Sequence, residues 1–127
     1  MVKFLSPEWA ESVTIALNDS TDIKGALKDV ELTLQQIVTG GPDGEVTYWT
    51  RFVDGYVEGG VGDAPEPDVT ITQDYETAVA LARDELNAQS AFMQGKLKVK
   101  GNMGKLLQNQ SAIQALGPVM ASVQTEY

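Results

Sequence analysis

Between Ala91 and Leu107 the chain reads Ala-Phe-Met-Gln-Gly-Lys-Leu-Lys-Val-Lys-Gly-Asn-Met-Gly-Lys-Leu-Leu, an order that few architectures accommodate. An apolar helix end, Ala91-Phe92-Met93, stops at Gly95. Lys96, Lys98 and Lys100 then alternate with Leu97 and Val99. That period of two puts the ammonium groups on one face of a strand and the apolar side chains on the other. Gly101 and Gly104 bracket Asn102-Met103 and permit a tight strand-to-helix turn that β-carbons would crowd. Leu106-Leu107 opens a further apolar segment.

Upstream, Ser6-Pro7 predicts a helix start, a capping hydroxyl followed by proline at the first helical position. Trp9, Val13, Ala16 and Leu17 fall on one stripe of that helix, which ends in the polar run Asn18 to Asp22. Ala26-Leu27 predicts a short helical or irregular link. Val30, Leu32 and Leu34 alternate with Glu31, Thr33 and Gln35 in a half-buried strand. Gly40 to Gly44 is dense turn chemistry, and Val46 to Val53 forms a second strand rich in β-branched and aromatic residues. Asp54-Gly55 predicts a tight hairpin into a short third strand, Tyr56-Val57-Glu58. Residues 59–67 hold three glycines and two prolines and predict a loop. A fourth strand alternates Val69 and Ile71 with Thr70 and Thr72. Asp74 then caps an amphipathic helix carrying Tyr75, Ala78, Val79 and Ala82. A short helix over residues 88–93 precedes the fifth strand at residues 96–100. Three hairpin-linked strands plus two joined by a helical crossover make a mixed sheet.

The C-terminal stretch carries a narrow helical stripe, Ile113, Leu116, Met120 and Val123, interrupted by Gly117-Pro118. A proline in mid-helix costs about 3 kcal/mol, so a break is expected, with Pro118 opening a second short helix. Gln114, Ser122, Gln124 and Thr125 put no cation on the polar face. The segment therefore suits a lid or an interface better than a membrane-active helix.

Composition narrows the chemistry. The 127 residues make one domain, 1–127, that buries roughly two-thirds of its unfolded surface. With no cysteine and no histidine, disulfides, thiolate nucleophiles, Ser-His-Asp triads and His-metal centres are excluded. No enzyme activity, no metal and no cofactor are expected. No apolar run approaches the roughly 20 residues that span a bilayer, and the expected location is cytoplasmic. The net charge of −9 is uneven: residues 1–85 carry 17 acidic and 5 basic side chains, whereas residues 86–127 carry four lysines and one acid, Glu126. That balance opposes nucleic-acid binding. Lys96, Lys98, Lys100 and Lys105 make either a solvated strand face or a transient contact with an anionic membrane surface. Gly101 to Lys105 lacks the longer glycine loop and the Ser/Thr of a nucleotide site, since Leu106 stands there. A structural turn is the simplest reading, and a lipid headgroup touching Gly104 and Lys105 the alternative.

The 91–107 phrase resembles the signature of the sterol-carrier-protein family, the non-specific lipid-transfer proteins. Leu5-Ser6-Pro7-Glu8-Trp9-Ala10 is similar to the opening of its bacterial and archaeal members. Asp68-Val69-Thr70-Ile71-Thr72 resembles the strand before their middle helix, so order and spacing match over roughly residues 5–110. The resemblance implies an α/β (α+β) fold: a five-stranded mixed, mainly antiparallel sheet covered by helices and enclosing an apolar tunnel. The tunnel walls are then expected at Trp49, Phe52, Phe92, Met93, Leu97, Met103, Leu106, Leu107, Ile113, Leu116 and Met120. Gly104 and Lys105 are the headgroup candidates. Flexible methionines suit surfaces that accommodate variable partners. The expected partner is a hydrophobic small molecule: a fatty acid, acyl-CoA, phospholipid or sterol-like compound, bound without covalent chemistry. The alternative is an interaction or dimerisation module with a vestigial pocket. Trp49 and Arg51 face away from Tyr48 and Phe52, so both faces of the second strand need cover, and a partner subunit in a homodimer is one source of it.

Overall fold

The computed structural model describes residues 2–42 and 44–127. The chain enters as a two-residue strand, β1 (Val2–Lys3), and turns at Leu5 (φ 66°) into helix α1 (Pro7–Asp19). The Trp9 N–H donates to Ser6 Oγ at 3.2 Å and Pro7 begins the helix, the start expected from this dipeptide. Trp9, Val13 and Leu17 are buried and Ala16 is half-buried. A second short helix, α2 (Thr21–Ala26), is capped by Ser20 and delivers Leu27 into the core.

Five strands form the main sheet: β2 (Leu32–Gly41), β3 (Gly44–Val53), β4 (Tyr56–Val61), β5 (Val69–Asp74) and β6 (Lys98–Gly101). Their order is β4-β3-β2-β5-β6, with β2 and β5 parallel and every other neighbour antiparallel. The sheet is thus mixed and mainly antiparallel, as expected. Helices α3 (Tyr75–Ala82) and α4 (Ala88–Met93) join β5 to β6, and α5 (Met103–Gln108) and α6 (Gln110–Ser122) follow. A last strand, β7 (Thr125–Glu126), pairs in parallel with β1. Asp74 caps α3 by accepting from the Thr77 N–H at 2.7 Å; these Thr77 hydrogen bonds hold its carboxyl below the usual carboxylate range. Asn87 caps α4 in the same way, accepting from Ser90 N–H.

Alternation sends Leu32, Leu34 and Val38 of β2, Tyr48 and Phe52 of β3, Val57 of β4 and Val69 and Ile71 of β5 to one face, where all are buried. Fully burying side chains of this size stabilises by about 1.5–3 kcal/mol each. The opposite face is crossed by the β4–β5 loop, from which the Ala64 N–H donates to Gln35 Oε1 at 2.8 Å. Part of the outer cover therefore comes from the chain itself.

Four sequence expectations change. The first core strand starts at Leu32, leaving Val30 buried ahead of it. β4 continues through Gly59 and Gly60 to Val61, so the glycine-rich loop shrinks to residues 62–68. The missing side chains are why: a Cβ on Gly59 would come within 3.1 Å of Thr14 Oγ1 on α1, and one on Gly60 within 3.4 Å of the Trp49 indole. β6 begins at Lys98, with Leu97 buried before it. Finally, α6 runs unbroken through Pro118. A proline ring disfavours helical geometry in the preceding residue largely through that residue's Cβ, and Gly117 has none. The same absence lets α6 approach α3's end, where a Gly117 Cβ would lie 2.7 Å from Asp84 Oδ1.

Candidate functional site

α6 packs across α1, α2, α3 and α4, bridging the helices over the buried face of the sheet. Three small cavities lie between the helices and that face. The first, about 100 Å³, is lined by Leu34, Gln36, Tyr48, Ile71, Gln73, Ala78, Ala82, Leu97, Ile113, Leu116 and Met120, among others. The second, about 60 Å³, is walled by Ile71, Phe92, Leu97, Val99, Met103, Leu106, Leu107 and Ile113, and it also meets Gln89 and Gln114. The third, about 40 Å³, includes Trp9, Val13, Leu34, Gln36, Tyr48, Phe52, Leu116 and Met120. Ile71, Leu97, Ile113 and Gln114 are shared by the first two, and Leu34, Gln36, Tyr48, Leu116 and Met120 by the first and third. No lysine or arginine is among their described lining residues.

Ten of the eleven expected wall residues line one of these cavities. Met93 lines none and is 78% exposed. Trp49 borders the third, but its register turns the indole onto the outer face, against Gly60. Phe92 and Leu107, at the second cavity, remain 41% and 58% exposed, so with Met93 they form an apolar fringe on α4 and α5. Across that cavity Gln114 Nε2 donates to Gln89 Oε1 at 3.1 Å, tying α6 to α4.

Two glutamines are interior polar groups here, and nothing in the sequence pattern pairs them. Gln36 lies on the same face as Leu34 and Val38, and Gln73 two residues beyond Ile71. Their positions in the alternation were the available signal. Gln73, 3% exposed, donates through Nε2 to Gln36 Oε1 at 2.6 Å, and its own Oε1 has no hydrogen-bond partner. Burial pushes the Tyr48 phenol well above its ordinary pKa, so it stays protonated.

The glycine turn after β6 carries the headgroup candidates Gly104 and Lys105. Gly101 has φ +112°, and a Cβ there would run into the Asp68 carbonyl. Asp68 ties the turn to the sheet: its carbonyl accepts from Asn102 N–H, and its carboxylate accepts from Thr33 N–H at 2.8 Å and meets Lys105 Nζ at 3.2 Å. Gly104 is exposed in the first turn of α5, and neither it nor Lys105 lines the three cavities. A larger open groove of about 540 Å³, lined by Phe4, Leu5, Val46, Tyr75, Tyr127 and neighbours, shares no residue with them. Among the described residues no acidic cluster is arranged to hold a metal, and no helix is long and apolar enough to cross a membrane.

Comparison with known proteins gives the following. Residues 13–114 match the model of a family described as the SCP-2 sterol transfer family. Sterol carrier protein 2 of Rattus norvegicus is 40% identical over 79 residues, 58% of this chain and 14% of the relative. Peroxisomal multifunctional enzyme A of Dictyostelium discoideum is 56% identical over 39 residues, 31% of this chain and 9% of the relative. The match thus spans a small fraction of either relative's length. A crystal structure of sterol carrier protein 2 superposes with a TM-score of 0.83 at 25% identity, covering 96% of this chain and all of the other.

Proposed function

The chain belongs to the SCP-2 sterol transfer family, and from that premise we propose that it binds and transfers long-chain acyl or sterol-like lipids by noncovalent burial beneath α6. The observation that carries the reading is the row of cavities with shared apolar walls along the buried sheet face. Sites that bury drug-sized ligands run to about 300–1,000 Å³, several times the largest of these. A long chain therefore enters only if α5 and α6 move outward. Their half-buried Leu106, Ile113, Val119 and Met120 are the contacts that part. At about 0.3 kcal/mol per heavy atom, a ligand of roughly twenty atoms gains about 6 kcal/mol, a dissociation constant of tens of micromolar. Such affinity permits both loading and release.

The exposed fringe of Phe92, Met93 and Leu107 marks where the ligand leaves. Lys96 follows it on the turn, and Lys98 and Lys100, paired with Thr72 and Thr70, stand on the outer face of the edge strand, in a segment whose positive charge contrasts with the acidic remainder. That complementarity selects an anionic membrane surface as the occupant of the fringe. Displacement of a fluorescent fatty acid by unlabelled fatty acid, acyl-CoA, phospholipid and sterol tests the reading. Failure of all four to displace it would sink the proposal.

A further inference from the structure

The walls of the three cavities are mostly apolar, though the first also meets Gln36, Gln73, Asp84, Asn87 and Gln114. Two buried polar atoms along them lack a partner: Trp9 Nε1 at the third and Gln73 Oε1 at the first. Gln73 Oε1 is deeply buried, lines the first cavity and accepts nothing from the protein. An amide oxygen buried without a donor is costly, and such groups in native proteins normally find one. Its neighbour does not supply it: Gln36 Oε1 accepts from Gln73 Nε2 at 2.6 Å, and no bond runs from the Gln36 amide back to Gln73 Oε1. Backbone pairing of β2 with β5 brings Val38 opposite Gln73 and Gln36 opposite Ile71, which fixes the two amides side by side on the face that the cavity opens onto. Charge is the second constraint. With no lysine or arginine among the described lining residues, a carboxylate drawn this far in would be buried unpaired, which is prohibitive. A hydroxyl carries no such penalty and donates what Gln73 Oε1 lacks.

We infer that the first cavity is a polar-end subsite: a neutral hydroxyl on the lipid donates to Gln73 Oε1 beside Gln36. The alkyl body then runs past Ile71, Leu97 and Ile113, the residues shared with the second cavity, toward Phe92 and Leu107. Lipids with a hydroxyl thus bind with the polar end inward, while fatty acids bind with the carboxylate outward. The inference rests on the carrier reading above and adds ligand orientation and headgroup class.

The test compares 1-dodecanol with methyl dodecyl ether, which keeps the oxygen and loses the donor, and with dodecanoate. Each displaces a fluorescent polyene fatty acid from the wild-type protein and from Gln73→Met. In the wild type, dodecanol should displace at a concentration about tenfold or more below that of the ether, the worth of one buried hydrogen bond. In Gln73→Met the two should become equal, while dodecanoate changes little in either protein. Equal displacement by alcohol and ether in the wild type overturns the subsite, as does a preference that survives Gln73→Met. If the variant does not fold in a thermal melt, the wild-type ratio alone decides. Binding of all three without selectivity refutes the subsite and leaves the carrier reading standing. Binding of none refutes both.

Discussion

Replacing Gly101 by alanine attacks the turn that places α5 over the second cavity. The residue sits at φ +112°, where an L side chain is strained by about 1–3 kcal/mol. The new Cβ also meets the Asp68 carbonyl and comes within 3.1 Å of Val69 Cα, both backbone of β5 or its lead-in, so neither can rotate away. Forcing a methyl into packed structure typically costs a further 1–3 kcal/mol or so. The stiffer unfolded chain returns about 0.4–1 kcal/mol. The expected loss is about 3 kcal/mol, roughly a 10 °C drop in Tm for a domain of this size. Gly104→Ala is the control. Its Cβ would touch only Asn102 Oδ1 at 3.5 Å, on an exposed helical turn. There alanine should be neutral or stabilising by up to about 1 kcal/mol. Urea unfolding of both variants supplies the comparison. Equal shifts, or a larger loss at Gly104, would refute the assignment of the turn's strain to Gly101.

Other consequences are equally concrete. Ile113→Trp, enlarging a wall shared by the first two cavities, should abolish lipid binding while lowering stability by about 1–3 kcal/mol, read by probe titration beside a melt. Gln89→Ala breaks the side-chain bond from α4 to α6 and should speed ligand release in stopped flow with little change in Tm; an unchanged rate would exclude α6 as the moving cover. Met93→Asp, at an exposed position lining none of the three cavities, should slow transfer to anionic vesicles several-fold and leave solution affinity intact. The Asp74 cap gives a pH signature. Its folded pKa lies below 3.8, so the carboxylate's contribution is present above that value and lost as pH falls through the folded pKa. Thermal melts of wild type and Asp74→Asn should therefore converge only in strong acid.

Local chemistry made most of the elements legible. Ser6-Pro7 and Asp74 fix helix starts through capping hydrogen bonds made within three residues, β2 and β5 declare themselves by alternation, and β3 by its β-branched and aromatic content. What was illegible depends on distant partners. β1 and β7 are two residues each and exist because the ends of the chain meet, with Phe4 and Tyr127 ring centroids 5.0 Å apart. Gly59-Gly60 resembles a loop until Thr14 and Trp49 press against it. Pro118 ought to break α6, yet Gly117 removes the clash that would do so. Near the cavities Trp49 was the ambiguous residue, because the partly apolar β3 has two candidate inward sets and only pairing with β2 and β4 selects Tyr48 and Phe52. Gln36 and Gln73 fall on inward positions, but their meeting requires the parallel β2–β5 register, which periodicity does not encode.

Methyl chemical-shift mapping during a lipid titration tests the central claim most directly. The lipid should produce saturable, one-to-one shifts centred on Leu34, Ile71, Leu97, Ile113 and Leu116, the walls beneath α6. Shifts confined to the open groove around Phe4, Leu5 and Val46, or no saturable shift with any acyl chain or sterol, would contradict it.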